Sequence, residues 1–591
     1  MTASSGLPRL AEDHAAVLLS AAVVVSLMIV SLLSGSFGQI GPDGDDVMRL
    51  VQIRELLDGQ GWYDLRQPRL GPEGGTLMHW SRLVDLPIAA IAFVLAPFLG
   101  QEAALGLAVS IWPLISVLIV TGALIAGARA LGGQGVVLFT AVLGFAVLYR
   151  HFRFLPGAID HHNLQLGLVL LGTVLLLSRE RPAAQMALSG LCLSLAAAIG
   201  VEVHLFVAVL AAFVAIDWAI TGAPAQRGAV VFGASFAAGL AVTFLATVPP
   251  LDYWTARCDA HSSVTLLAGL GGGVAFALAA QVTSTKSLAI RAAALANVAA
   301  ISAALVLVSG PACLGNPLDA LSPQARELWL ARVDEARPTF AYLDGRLDEF
   351  LFRLGTMVAG LAAAIWLALR RDQTRAQLLF ILMLTVSLVF ALYQTRFYVF
   401  GQLFAVLPLA MLAARLNAGA FEPAVPRLAY LGVVILALPA LWGLAGAALA
   451  PSKAPPMAAL AAEAAAACNP QETHATLNAL PPGRILAPAS DTPGLLLETR
   501  HSALYGHYHR NTAGIDAALG IFTAAPDAAR ARLAAARVDY LLVCPADADI
   551  RFFAERAPDG LIAGLLSGNV PGWLEPVSAA TPTVIYRVRP R

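Results

Sequence analysis

Long apolar runs separated by short polar stretches dominate this chain. Runs of roughly 17–25 residues, the length that spans a hydrocarbon layer as a helix, fall at 14–34, 103–127, 133–149, 163–178, 184–200, 203–218, 228–248, 264–282, 288–308, 351–370, 376–394, 398–415 and 427–450. They predict about thirteen transmembrane helices. A further run at 86–99 is short and contains Pro87 and Pro97, so it is expected to be re-entrant or interfacial. The first run is too long for the apolar core of a signal peptide and shows no obvious small-residue cleavage site, which makes it an uncleaved span. Beyond residue 450 the pattern changes. An Ala-rich helix is followed by strand-like R-I-L-A-P-A (484–489), S-A-L-Y-G (502–506), D-Y-L-L-V-C (539–544) and T-V-I-Y-R-V (583–588), with a helical A-P-D-A-A-R-A-R-L-A-A-A-R at 525–537. This alternation predicts a small α/β domain. The expected organisation is therefore an all-α polytopic membrane domain over 1–450 and an α/β domain over 451–591.

Composition agrees with the pattern: 58% hydrophobic and 13% charged residues, with a mean hydropathy of +0.72, exclude a water-soluble globular protein of this size. Formal net charge is zero, so no nucleic-acid partner is expected and the lipid bilayer is the evident one. The placement of basic residues predicts orientation. With a cytoplasmic N-terminus, Arg129, Arg179, Arg181, Arg227, Lys286, Arg291, Arg370, Arg371, Arg375, Arg415 and Arg427 fall in cytoplasmic loops, as the positive-inside rule requires. The same parity puts the loops 35–85, 150–162 and 309–350 and the C-terminal domain outside. Cys258, Cys313, Cys468 and Cys544 all lie on that side, which makes them disulfide candidates and fits an oxidising compartment. The expected setting is a bacterial inner membrane with the tail in the periplasm.

The exterior side also carries the polar chemistry. Arg153 to His162 reads R-F-L-P-G-A-I-D-H-H and sets Arg, Asp and two His between two spans. Such groups are costly at a membrane edge unless they face water, one another or a metal. In the first loop, Val47, Leu50, Val51, Ile53, Leu56 and Leu57 recur at helical spacing and predict an amphipathic helix lying on the membrane. Asp45 and Asp46 stand near its start, where acidic residues also serve as caps. Loop 309–350 is long for a connection between spans, and Pro338 ends any helix there, leaving Asp334 and Glu335 on a segment able to swing over a site. Arg396 sits in the tight turn Y-Q-T-R-F-Y with a planar fork suited to phosphate. Further candidates are His79 and Arg82 at the interface, Glu202 and His204 at an exterior helix end, and His507, His509 and Arg510 in the tail.

Together these pieces resemble the oligosaccharyltransferase catalytic subunits and their relatives among the C-type glycosyltransferases. Arg153, Gly157, Asp160 and His162 match that family's second-loop motif R-x-x-x-G-x-x-D-x-[D/H] position by position. The stretch V-D-E-A-R-P at 333–338 is similar to its mobile-loop glutamate motif, and Arg396 stands where the family keeps an arginine on pyrophosphate. The resemblance implies the C-type glycosyltransferase fold with an exterior C-terminal domain, a polyprenyl-linked sugar donor, and a divalent metal, Mn²⁺ or Mg²⁺. It implies Asp46 (or Asp45), Asp160 and His162 as metal ligands, with His161 displaced by one position from the pattern. Asp46, Asp160 and Glu335 then serve catalysis, and Arg153 and Arg396 serve the phosphate. The family's acceptor-recognising W-W-D-Y-G is absent; the corresponding region reads P-A-S-D-T-P-G, sharing only Asp491 and Gly494. The acceptor is thus expected to be a glycan, lipid or protein read in some other way. A transporter or flippase of envelope lipids or glycans is the alternative, although the midplane carboxylates and internal repeats of transporters are not evident.

Overall fold

The apolar runs form helices, because a segment in lipid must satisfy its backbone polar groups internally. The computed structural model describes residues 14–41, 43–149, 151–418, 429–450, 463–464, 466–578 and 583–589. The start of the Ala-rich segment after residue 450 and Arg427 lie outside them. Among the described residues ten helices are long and apolar enough to cross a membrane, or eleven if Ala429–Leu436 and Pro439–Leu449, bent by 83°, make one span. This is a multi-pass membrane protein. Three of the expected spans, Gln134–Leu148, His162–Leu175 and Ala183–Ile199, are shorter apolar helices. The segment at 86–99 departs from expectation. It belongs to one continuous helix, Arg82–Leu99, with both prolines inside; each proline removes a single backbone bond, and the Ser81 hydroxyl caps the first turn.

Two compact units are formed. The first comprises Met1–Gly41, Trp80–Gly315 and Asp334–Lys453. At its centre, helix Tyr398–Asn417, buried along most of its length, packs on Leu347–Leu369, Gln134–Leu148 and Thr374–Tyr393. Helix His162–Leu175 packs on Gln101–Leu131 and Ala183–Ile199. Small residues permit the close crossings typical of membrane helices: a Cβ on Gly233 would stand 2.6 Å from the carbonyl oxygen of Gly273, and one on Gly273 would stand 2.8 Å from that of Gly233. A disulfide joins Cys258 to Cys313.

The second unit comprises Pro42–His79, Asn316–Val333 and Ala454–Arg591. Its five-stranded sheet runs in the order Ser502–Ala503, Arg484–Leu486, Tyr540–Val543, Val584–Val588, Leu574–Ser578. The first three strands are parallel and the last two pairings antiparallel. Both exterior loop segments are built into this unit. Backbone bonds tie Arg69 and Gly71 to Ala503 at the sheet edge, and Leu321, Ala325, Leu328 and Trp329 join the core formed by Ile515, Phe522 and Phe553. The helix expected to lie on the membrane, Gly44–Leu57, instead packs on helix Thr492–Glu498 of the same unit. Met48, Leu50, Val51 and Ile53 are buried, so protein rather than lipid covers its apolar face. Cys468 pairs with Cys544.

Candidate functional site

The stretch 151–163 is shaped by its own side chains. The His151 imidazole accepts from the Arg153 N–H, and the Asn163 amide donates to the carbonyls of Arg153 and Ala158 at 3.2 and 2.9 Å. Gly157 has φ +94°, and a Cβ there would lie 2.6 Å from the Gln39 carbonyl oxygen. Only glycine meets both demands, which accounts for it in the motif. The result delivers Asp160, His161 and His162 to the head of helix His162–Leu175.

These three residues offer ligand atoms within 4.8 Å of one another. Asp160 Oδ2 lies 3.3 Å from His162 Nε2, while Asp160 Oδ1 lies 2.6 Å from His161 Nδ1. The other His161 nitrogen faces Glu202 Oε1 at 3.5 Å. Burial alone would depress the His161 imidazole, but the Asp160 and Glu202 carboxylates outweigh it and push it up to about 10. A neutral imidazole and a carboxylate oxygen at this separation fit one divalent cation, since both atoms can reach an ion at ordinary ligand distances of about 2.0–2.2 Å.

Beside them stand the two arginines. Glu335 Oε2 is 3.9 Å from Arg153 and Glu335 Oε1 is 3.7 Å from Arg396. The segment carrying Glu335 is fastened on either side. Tyr342 donates to both carboxylate oxygens of Asp334 at 2.7 and 2.8 Å. Arg353 lies over the Tyr342 ring, pairs with Glu349 at 3.1 Å and donates to the Thr395 hydroxyl at 2.8 Å. The Thr395 N–H in turn bonds the Arg337 carbonyl at 2.8 Å. Arg353 and Tyr342 were not singled out from sequence. An arginine inside the apolar run 351–370 is itself the signal, because a charge in a span marks a functional position by default.

The other candidates fall elsewhere. Arg82 forms a buried ion pair with Asp85 at 3.2 Å. His204 bonds the Ala197 carbonyl at 2.9 Å and lines an apolar crevice of about 640 Å³ bounded by Ala211, Phe236, Gly269 and Phe276. In the second unit, Asp45 and Asp46 occupy the first turn of Gly44–Leu57, whose N-cap is Asp43. His79 packs on His509 with ring centroids 4.5 Å apart, Arg510 donates to the Met78 carbonyl, and His507 accepts from the Trp329 indole at 2.7 Å.

A helical unit with this polar head, interleaved in sequence with an α/β unit, is an arrangement with known structural counterparts. The fold is that of the archaeal oligosaccharyltransferase AglB from Archaeoglobus fulgidus. Its complex with an inhibitory peptide and a dolichol-phosphate matches with a TM-score of 0.62 at 14% identity, over 89% of this chain and 69% of that one. The form tethered to an acceptor peptide containing the NVT sequon gives 0.61 at 13% identity over 97% and 74%, and the complex with Zn and sulfate gives 0.59 at 15% over 97% and 73%. No family model matches the chain, and no curated protein sequence matches it.

Proposed function

We propose that this chain is a glycosyltransferase that moves a sugar or oligosaccharide from a polyprenyl phosphate or pyrophosphate carrier to an acceptor on the periplasmic face of a bacterial inner membrane. The observation that carries this reading is the convergence, at the ends of apolar helices, of Asp160 and His162 with Arg153, Arg396 and Glu335. The oligosaccharyltransferase fold supports it, as does a neighbour bound to dolichol-phosphate. The apolar crevice beside His204 is also compatible with an isoprenoid substrate.

In such a transfer the bond from the anomeric carbon to the phosphate oxygen breaks, and a bond from that carbon to the acceptor heteroatom forms. The acceptor's proton must leave to a base. Arg153 and Arg396 offset the charge growing on the leaving phosphate through paired hydrogen bonds, and Glu335 is the carboxylate suited to take the proton. Asp160 and His162 would hold Mn²⁺ or Mg²⁺, which supplies Lewis-acid stabilisation of phosphate oxygens when bound. Asp46, the third ligand implied by the resemblance, belongs to the second unit. The missing W-W-D-Y-G argues for an acceptor other than a sequon peptide.

The test is turnover of polyprenyl-linked sugars by the purified full-length chain in detergent. Activity with Mn²⁺ that vanishes in EDTA and in Asp160→Ala is the expected result. Absence of turnover with every carrier, together with no metal site dependent on Asp160, would overturn the enzyme reading in favour of the transporter alternative.

A further inference from the structure

Both histidines of the D-H-H motif lie within reach of the Asp160 carboxylate, His161 at 2.6 Å and His162 at 3.3 Å, and distance alone does not assign their roles. Their surroundings do. His161 is sandwiched between carboxylates, with Asp160 Oδ1 at 2.6 Å on Nδ1 and Glu202 Oε1 at 3.5 Å on Nε2, and its side chain is only 6% exposed. His162 Nε2 faces the other oxygen of Asp160. The Asp160 carboxylate is thereby divided, one oxygen toward each ring.

Glu202 is placed by its own backbone. It sits in a single 3-10 turn, Val201–Val203, between helices Ala183–Ile199 and His204–Thr221. The preceding Gly200 passes so close that a Cβ would stand 2.4 Å from Glu202 Oε2, 2.9 Å from Gln165 Nε2 and 3.4 Å from His161 Cδ2. Gln165, one turn along the helix that His162 begins, donates to the Gly200 carbonyl at 3.1 Å. The turn is thus locked against the helix head from two sides.

We infer that His161 and Glu202 are positioning residues: Glu202 holds His161, and His161 holds Asp160 by one oxygen so that its other oxygen and His162 Nε2 are presented to a divalent cation. Groups that hold a metal ligand from behind typically change metal affinity by roughly 10- to 100-fold when removed. This assignment rests on the proposed reading of Asp160 and His162 as the metal-holding pair.

Mn²⁺ binding to the full-length protein in detergent, read by electron paramagnetic resonance, tests it without reference to turnover. Glu202→Gln and His161→Asn should each weaken Mn²⁺ by roughly 10- to 100-fold, with melting temperatures in EDTA unchanged. Asp160→Ala and His162→Ala should abolish saturable binding. Gly200→Ala, which touches no ligand, should reproduce the Glu202→Gln effect by displacing that carboxylate, and it gives the reading should Glu202→Gln not yield folded protein. Wild-type affinity in Glu202→Gln overturns the inference, as does complete loss in His161→Asn with none in Glu202→Gln, which would make His161 the ligand. Failure of the wild type itself to bind Mn²⁺ would instead strike the metal reading under the proposed function.

Discussion

Tyr342 and Arg353 show how much of the candidate site depends on groups that carry no chemistry of their own. Tyr342→Phe removes the one hydroxyl proton shared between the two oxygens of the Asp334 carboxylate. A bond to a charged acceptor is worth about 1.5–3 kcal/mol when shielded, and less here because Asp334 is partly exposed. The expected outcome is faster limited proteolysis within 334–343 and a lower kcat, with Mn²⁺ affinity unchanged. Unchanged cleavage would show that Asp334 and Tyr342 do not fasten the segment. The motif Arg153–His162 was readable from sequence because its spacing is local and its glycine is required by a strained turn. Glu202 was legible only as a candidate at an exterior helix end, since nothing in the sequence says that Gly200 lets it approach His161 to 3.5 Å. Arg353 was hidden in an apolar run and acquires its meaning only from Tyr342 and Thr395.

Among the elements, the three parallel strands raise a separate expectation. The segments that follow two of them hold Asp491, Asp547 and, in the first turn of helix Ala548–Arg556, Asp549, and burial with the two neighbouring carboxylates pushes Asp491 up to about 7. A carboxyl whose native pKa is raised binds its proton more tightly folded than unfolded. Its favourable contribution is therefore complete below about pH 4, the unfolded value, and is lost as pH rises through 7. The melting temperature of the full-length protein should fall between pH 5 and 8, and Asp491→Asn should flatten that fall. An unaltered slope would remove Asp491 as its source. The strand-helix pattern of the tail was legible because its apolar runs are short and bounded by turns. The strand Leu574–Ser578 was not legible in the sequence, because Pro576 within it argues against a ladder position and only its place at the sheet edge admits it. That segments 42–79 and 316–333 join this unit follows from long-range packing, which no local pattern records.

At the scale of the molecule, each unit has its own disulfide, closing separations of 55 and 76 residues. Loop-closure entropy gives roughly 4 kcal/mol for bonds of this span. Cys468→Ser with Cys544→Ser should lower the melting temperature of the second unit, and labelling of thiols in intact cells should find these four cysteines blocked; a reactive quartet would contradict the exterior assignment. The membrane unit is braced at the other end of helix His204–Thr221, where Asp217 receives Arg181 and Arg375 at 2.8 and 3.0 Å. Thirteen residues separate His204 from Asp217, a rise of about 20 Å, so one helix joins the candidate site to that brace. The contact of Glu335 with both Arg153 and Arg396 has a last consequence. If those arginines take the donor phosphate, as proposed, the phosphate would exchange places with a carboxylate already there, and Glu335 would act as a tethered competitor for the donor. Donor affinity would then report the difference between two anions, and donor binding would also release Glu335 for other work.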